Sequence, residues 1–154
     1  MNTTYIIGLI LVLAIVIPIV LLNHGKNKKF AIIRKKFEAL TSNSIIAKQE
    51  SWNTSIIAID DVNKTCFFVH CEGENCVEKK LDLTKYSSCR VVTSSSLGTT
   101  SNAIDLVELV FTPKQKEDET QSLLFFNSET DGFSLNGELQ SAERWKKICS
   151  NLIK

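Results

Sequence analysis

The sequence has few of the residues, and none of the motifs, on which most enzyme active sites depend. Its 154 residues include two histidines, His24 and His70. No Gly-x-Gly-x-x-Gly, no phosphate-binding loop ending in Lys-Ser/Thr, no His-Glu-x-x-His and no Gly-x-Ser-x-Gly occurs in the chain. We therefore predict a protein that is not an enzyme, with no catalytic residue and no cofactor, in which His70 is a structural residue of a strand.

The chain also has little net charge, because 18 Lys and Arg residues balance 17 Asp and Glu residues, but the distribution is uneven. Residues 1–22 carry no charged side chain, residues 23–50 hold seven basic and two acidic ones, and residues 51–154 hold eleven basic and fifteen acidic ones. Nucleic-acid binding needs a basic surface that neutralises phosphates. The acidic balance of the C-terminal part therefore argues against nucleic acid as a partner.

The uncharged N-terminal part contains a long apolar run over residues 5–22. At about 1.5 Å per residue, a helix of this length covers roughly 27 Å, close to the ~30 Å hydrocarbon core of a bilayer. A cleaved secretory signal peptide is the alternative, but residues 1–4 carry no positive charge and no Ala-x-Ala cleavage site follows. We predict a retained signal-anchor that crosses the lipid bilayer as a single transmembrane helix over residues 5–22.

The basic residues after the apolar run predict the orientation. Lysine and arginine within about 15 to 20 residues of a span favour the cytoplasmic side. We expect a single-pass protein of the cell membrane, with residues 1–4 outside and the C-terminal domain in the cytoplasm. Basic side chains beside a bilayer also gain about 1 kcal/mol each from an anionic leaflet. The candidate membrane-surface contacts are Lys26, Lys28, Lys29, Arg34, Lys35 and Lys36.

Residues 23–50 are predicted to form a basic juxtamembrane helix or stalk. Its apolar residues recur at intervals of three and four, as on one face of a helix. They are Phe30, Ile33, Phe37 and Leu40. This pattern leaves open whether the apolar stripe contacts lipid or the domain that follows.

The five cysteines do not form a recognisable framework. They are Cys66, Cys71, Cys76, Cys89 and Cys149. An odd count without a Cys-x-x-Cys spacing supports neither a full set of disulfides nor a zinc site. In a cytoplasmic domain we expect reduced thiols that behave as small apolar side chains, and no metal.

After residue 50 the helical spacing gives way to short runs rich in β-branched and aromatic residues, which predict strands. The predicted strands cover residues 55–59, 65–71, 77–83, 88–93, 104–112 and 122–127, with a short seventh at 133–135. Turns are predicted at 60–64 and 72–75, and loops at 94–102 and 114–121. The chain thus predicts a domain over residues 51–154 with one core.

An amphipathic helix is predicted to close the chain, with Asn136 as its N-cap. Its apolar stripe consists of Leu139, Ala142, Trp145, Ile148, Cys149 and Leu152. We expect Trp145 to be the packing anchor of this helix. The predicted fold class is α+β and mainly β: a partly open barrel or sandwich of six to seven antiparallel strands, capped by the C-terminal helix.

This order of elements, with Trp145 in the segment AERWKKI (residues 142–148), resembles the pleckstrin-homology (PH) superfold, whose C-terminal helix usually carries a tryptophan packed against the barrel. The chain also resembles small membrane-anchored bacterial proteins with a PH-like domain. The resemblance implies a binding or scaffolding module. It departs from phosphoinositide-binding PH domains at the first hairpin, where Asp60 and Asp61 accompany a single basic residue, Lys64.

Two functional hypotheses follow. The first is a membrane-anchored, non-catalytic module that acts through protein–protein contacts with an unknown partner or with itself. The alternative is a lipid-associated sensor at the membrane surface, in which the basic juxtamembrane segment contacts anionic headgroups.

Overall fold

A computed structural model describes residues 30–73, 75–95, 104–132 and 134–153. Residues 30–40 are helical and are called α1 here. Seven strands follow: β1 (Lys48–Trp52), β2 (Ser55–Asp60), β3 (Thr65–Glu72), β4 (Asn75–Asp82), β5 (Tyr86–Ser94), β6 (Leu106–Pro113) and β7 (Gln121–Asn127). A 3-10 turn (Leu83–Lys85) joins β4 to β5, and two helices, α2 (Ser128–Asp131) and α3 (Glu138–Ile153), complete the described chain.

The strands form two antiparallel sheets, which the 3-10 turn between β4 and β5 joins. The four-stranded sheet has the order β1-β2-β3-β4, and the three-stranded sheet has the order β5-β6-β7. The prediction of a mainly β fold with antiparallel strands and a C-terminal helix is therefore confirmed. The strands do not close into a barrel.

The four-stranded sheet is covered on both faces, which explains why all six residues of β2 are buried. Because side chains alternate along a strand, Ile57 and Ile59 point into the main core between the two sheets. Ile56 and Ala58 point to the opposite face and belong to a second apolar cluster. A strand buried on both faces needs the continuous apolar sequence that β2 has.

The second cluster is covered by α1. Ile33 and Phe37 are buried in it, against Ile56 of β2 and Phe67 of β3. The apolar stripe of the juxtamembrane segment thus contacts the domain, which answers the question that the sequence left open. Phe30, at the start of the described part of α1, is exposed.

The boundary predicted between residues 50 and 51 falls inside β1, which pairs with β2 from Lys48↔Ile59 to Trp52↔Ser55. The sequence of β1, KQESW, is polar and carries no strand signal. It becomes a strand because it pairs with the buried β2, so tertiary context outweighs its weak propensity.

A β-bulge shapes the inner face of β7. Val107 pairs with Phe126 and Glu108 with Leu124, so Phe125 is the extra residue between them. Both Phe125 and Phe126 are consequently buried. The indole of Trp52 stacks on Phe125 with centroids 4.5 Å apart, and its Nε1 donates to the Phe125 carbonyl at 2.9 Å.

Two details at the C-terminal end differ from the prediction. Ser134 and Leu135 lie outside any strand, and Phe133 lies outside the described residues. Helix α3 begins at Glu138, so Gly137 rather than Asn136 precedes its first residue. Gly137 has a φ of 110°, a conformation that glycine tolerates and asparagine rarely adopts.

The predicted span at 5–22 and the predicted outer residues 1–4 lie outside the described residues. Among the helices that the structure describes, none is long and apolar enough to cross a membrane.

Candidate functional site

Helix α3 covers one side of the sandwich with its buried apolar stripe, and three of its side chains also donate to a single carboxylate. Glu50 of β1 accepts hydrogen bonds from Ser141 Oγ at 2.8 Å, Arg144 Nη2 at 2.6 Å and Trp145 Nε1 at 2.8 Å. Burial raises the pKa of Glu50, but these three donors outweigh that effect and the pKa is lowered overall. Trp145 itself is 2% exposed and belongs to the main core.

The opposite side of the sandwich has no such cover among the described residues. There β4 pairs with β3 and β7 pairs with β6, and no other described strand pairs with the outer edge of β4 or of β7. Lys79 of β4 spans the opening, and its Nζ donates to the Ser122 carbonyl of β7 at 2.6 Å.

This opening is a groove with a volume of about 270 Å³. We call it the β4–β7 groove, and it is lined by Phe68, His70, Glu72, Asn75, Val77, Lys79, Ser122 and Leu124. Val77 is 49% exposed although it is apolar. With Phe68 and Leu124 it makes the lining of the groove mostly apolar, as in a ligand-binding cleft.

Two charged groups mark the groove. Burial lowers the pKa of Lys79, and the negative charge of Glu108 partly opposes that effect. Glu72 lies near the β3–β4 turn, with its Oε1 3.4 Å from His70 Nε2.

His70 is held by hydrogen bonds rather than presented to a substrate. Its Nδ1 shares a hydrogen bond of 2.8 Å with Ser55 Oγ, and its ring stacks beside Phe68 with centroids 6.4 Å apart. The Ser55-His70-Glu72 set has the residue types of a hydrolase triad, but Ser55 is 2% exposed. Its hydroxyl cannot meet a substrate, so this set provides no accessible nucleophile.

The expectation of five reduced thiols is wrong for two of them, because Cys71 and Cys76 form a disulfide. The strand register places them directly opposite each other on β3 and β4. The predicted turn at 72–75 was the signal that could have found this pair, since a hairpin brings its flanking residues together. Closing so short a loop contributes on the order of 2 kcal/mol in the chain-entropy account.

The three remaining cysteines are free thiols of the main core, with Cys66 and Cys149 buried and Cys89 partly buried. Cys149 of α3 hydrogen bonds with Cys66 and with Cys89. The bond with Cys149 and burial raise the pKa of Cys89. The bond with Cys66 and burial raise the pKa of Cys149, and its bond with Cys89 partly opposes this effect. Protonated thiols are poor metal ligands. In the described part of the chain, no group of three His, Cys, Asp or Glu side chains is placed to hold a metal ion.

The structure describes three of the six candidate membrane contacts. Lys36 Nζ donates to Glu78 of β4 at 2.6 Å, and Arg34 Nε donates to Glu38 at 2.9 Å. Lys35 is exposed on α1. Lys26, Lys28 and Lys29 lie outside the described residues.

At the first hairpin, Asp60 has a structural role that the sequence did not reveal. It is fully buried and accepts hydrogen bonds from the Asn63 side chain at 2.7 Å, from the Asn63 backbone at 2.9 Å and from the Ile45 backbone at 3.2 Å. The bonds with Asn63, then that with Ile45, lower the pKa of Asp60. Asp61 is the exposed acidic residue of this turn.

Comparison with known proteins adds no identity to this description. Neither a protein-family model nor a curated protein nor a solved structure matches the chain.

Proposed function

We propose that this protein is a membrane-anchored, non-catalytic binding module with a PH-like domain, and that the β4–β7 groove binds an extended segment of a partner protein. The observation that carries the proposal is the groove itself, an apolar opening between two strand edges that have no strand partner in the described chain. Such edges recognise extended peptides through main-chain hydrogen bonds, and an adjacent pocket selects the side chains.

The width of the opening suits one added strand. Lys79 reaches from β4 to the Ser122 carbonyl with its four-carbon stem. Because Lys79 lies on the inner face of β4, this reach measures the separation of the two sheets there, at most about 10 Å, which is the usual spacing of packed sheets. A strand added to the edge of one sheet continues that sheet and needs no wider separation, whereas a helix, about 10 Å across with its side chains, does not enter between the sheets.

The two flanking strands differ in how they resist pairing. The sequence of β4 contains Glu78, Lys79 and Lys80, and charged side chains protect an edge from association. The sequence of β7, QSLLFFN, has neither a charge nor a proline. The edge of β7 is therefore the one to which a partner strand adds.

Charge and shape specify the partner segment further. Phe68, Val77 and Leu124 provide an apolar surface for one large side chain. Lys79 is partly buried and donates to a neutral carbonyl, so an acidic side chain in the segment would be a stronger acceptor. The partner segment accordingly pairs an apolar residue with an acidic one.

The PH-like assignment and the membrane anchor rest on the sequence resemblance and on the apolar run at residues 5–22. The order of elements supports the PH-like assignment: two antiparallel sheets of four and three strands are followed by a helix with a buried tryptophan.

The groove is tested with the full-length protein in lipid nanodiscs and a displayed library of random peptides. We expect enrichment of peptides that pair an apolar with an acidic residue, and at least tenfold weaker binding of the best peptide to Val77→Lys. Val62→Lys is the matched control, because Val62 is 73% exposed on the β2–β3 turn, outside the groove. If Val77→Lys bound the best peptide as tightly as Val62→Lys does, the proposed site would be contradicted.

Two further measurements separate the alternatives. A peptide with methylated backbone amides should no longer bind, because strand addition uses its N–H groups. Anionic vesicles that bind equally to the wild type and to Val77→Lys, in the absence of peptide binding, would favour the lipid-associated sensor instead. A groove occupied by a second copy would appear as a dimer that Val77→Lys dissociates.

The orientation is tested with a reporter fused after Lys154, which should behave as cytoplasmic. Replacing Lys26, Lys28 and Lys29 together by neutral residues should erode this orientation. Labelling of a cysteine in intact cells by a thiol reagent that cannot cross membranes would place the domain on the other side.

A further inference from the structure

We infer that Cys71 and Cys76 are a reversible redox pair, and that their oxidation state controls the docking of α1 and the shape of one end of the β4–β7 groove. The inference rests on the proposed function in one respect, the cytoplasmic position of the domain. Cytoplasmic thiols are kept reduced, and the disulfides found there are usually transient and serve redox sensing or catalysis.

The bond lies beneath α1. On the outer face of the four-stranded sheet, Cys71 is part of the apolar cluster that buries Ile33 and Phe37, and Cys76 packs against the same cluster. The ion pair between Lys36 and Glu78 lies next to it, since Glu78 follows Cys76 by two residues on the same face of β4. Separating the two sulfur atoms would therefore disturb the surface on which α1 packs.

The same bond limits the groove on the other face of the hairpin. Glu72 and Asn75 pair directly next to Cys71 and Cys76, and both of them line the groove. Gly73, with a φ of 62°, lies within the turn that the bond closes. Reduction would free this turn, so one covalent change reaches both α1 and the groove.

A dithiol reductant supplies the two electrons and two protons needed to reduce the Cys71–Cys76 disulfide. A thiolate of the reductant attacks Sγ of Cys76, which is half-buried, whereas Cys71 is 3% exposed. A mixed disulfide forms and Cys71 leaves as a thiolate, which takes up a proton. The second thiol of the reductant then displaces Cys76, so two electrons and two protons reach the protein and the reductant becomes a disulfide. A low-molecular-weight disulfide reverses the process.

The test uses the full-length protein in nanodiscs, treated with dithiothreitol or with oxidised glutathione and without denaturant. Acid quenching, followed by alkylation under denaturing conditions, should count three thiols in the oxidised and five in the reduced protein. Amide hydrogen exchange over residues 30–40 should rise severalfold on reduction, while exchange in α3 stays unchanged. The Cys71→Ser/Cys76→Ser variant should show the faster α1 exchange in both buffers.

Cys89→Ser is the control, because Cys89 is a free thiol on another strand and its variant should keep the full response. Equal α1 exchange in the two buffers would overturn the inference, as would a bond that dithiothreitol cannot reduce in the folded protein. In cells, the Cys71–Cys76 pair should be mostly reduced and become oxidised after treatment with diamide. A pair that stays oxidised throughout would also overturn the inference, whereas a failed peptide selection would affect the proposed function alone.

Discussion

The two long helices of the structure pack on different parts of the sandwich: α3 lies mainly against the three-stranded sheet, whereas α1 lies on the four-stranded sheet. Helix α3 inserts Trp145 into the main core, and three of its side chains donate hydrogen bonds to Glu50. Helix α1 lies on the outer face, where Ile33 and Phe37 enter a smaller cluster and Lys36 forms one ion pair at the surface.

The difference shows which cover is part of the fold and which can be released. Removing α3 would expose the core shared by both sheets, so its loss is expected to be coupled to global unfolding. Removing α1 would expose one face of one sheet and leave the main core intact. We therefore expect α3 to unfold with the domain and α1 to open separately, and the substitutions below test that contrast.

The largest effect is expected for Trp145→Ala. Deleting a buried tryptophan costs about 3–5 kcal/mol, a large part of the roughly 5–15 kcal/mol available to a small domain. Chemical denaturation of the full-length protein in detergent measures this loss. Trp145→Phe keeps an aromatic ring but loses the Nε1 donor to Glu50. Its free energy of unfolding should lie between those of the wild type and Trp145→Ala. A midpoint for Trp145→Ala close to that of the wild type would refute the core role of α3.

Glu50→Ala should cost roughly 2–3 kcal/mol, because the indole of Trp145 and the hydroxyl of Ser141 would lose their acceptor. Glu143→Gln on the outer side of α3 is the control, since Glu143 pairs with Lys146 of the same helix. We expect that control to change the free energy of unfolding by less than about 0.5 kcal/mol. Similar losses for both variants would mean that α3 is not anchored through Glu50.

The Glu50 contribution should also depend on pH in a defined direction. The folded-state pKa of Glu50 is lowered from its reference of 4.5, so the ionised carboxylate favours the folded state. This stabilisation is complete above about pH 4.5 and is lost as the pH falls through the lower folded-state value. The stability difference between wild type and Glu50→Gln should therefore shrink below pH 4.5. A stability difference that grows as the pH falls would mean that folding raises the pKa of Glu50 instead of lowering it.

On the α1 side, Ile33→Ala should cost roughly 2 kcal/mol, the low end for a buried isoleucine, because α1 can undock instead of holding a cavity. Hydrogen exchange over residues 30–40 should rise before that of β2 or α3. Ile32→Ala is the matched neighbour, since Ile32 is exposed on the same helix. Exchange that rises equally in α1 and α3 would show that the two helices open as one unit.

The smallest effect is expected for Lys36→Ala. The Lys36–Glu78 pair is partly exposed, and such pairs contribute at most about 1 kcal/mol. The loss should diminish further in high salt, because screening weakens surface pairs. Lys35→Ala, one position along the helix, provides the comparison and should be neutral.

Particular residues show how far sequence reasoning reaches in this chain. The apolar runs of β2, β3 and β7 predicted strands because burial leaves a direct record in the sequence. Strand β1 was missed because its polar sequence depends on a neighbour for its conformation. The Cys71–Cys76 bond was missed because the turn predicted at 72–75 was not combined with the two cysteines beside it, which the hairpin register places opposite each other.

The candidate site was still harder to foresee. Phe68, Lys79 and Leu124 come from three strands of two sheets, and no spacing in the chain links them. Asp60 illustrates the same difficulty at a single position, since its turn reads as solvent-exposed while the side chain is fully buried. Whether such a polar residue points inward depends on the donors that surround it, here Asn63 and the Ile45 backbone.

By itself the sequence determined a mainly β domain with antiparallel strands and a closing helix, because alternation and helical periodicity are local properties that every native contact reinforces. The tertiary structure alone decided that α1 packs on the domain, that Cys71 and Cys76 bond, and that a groove opens between β4 and β7. The packing of α1 and the groove depend on which surfaces meet across long separations in the chain, whereas the Cys71–Cys76 bond depends on the register of one hairpin. Burial of one face against another is set by the complete fold, and no single segment encodes it.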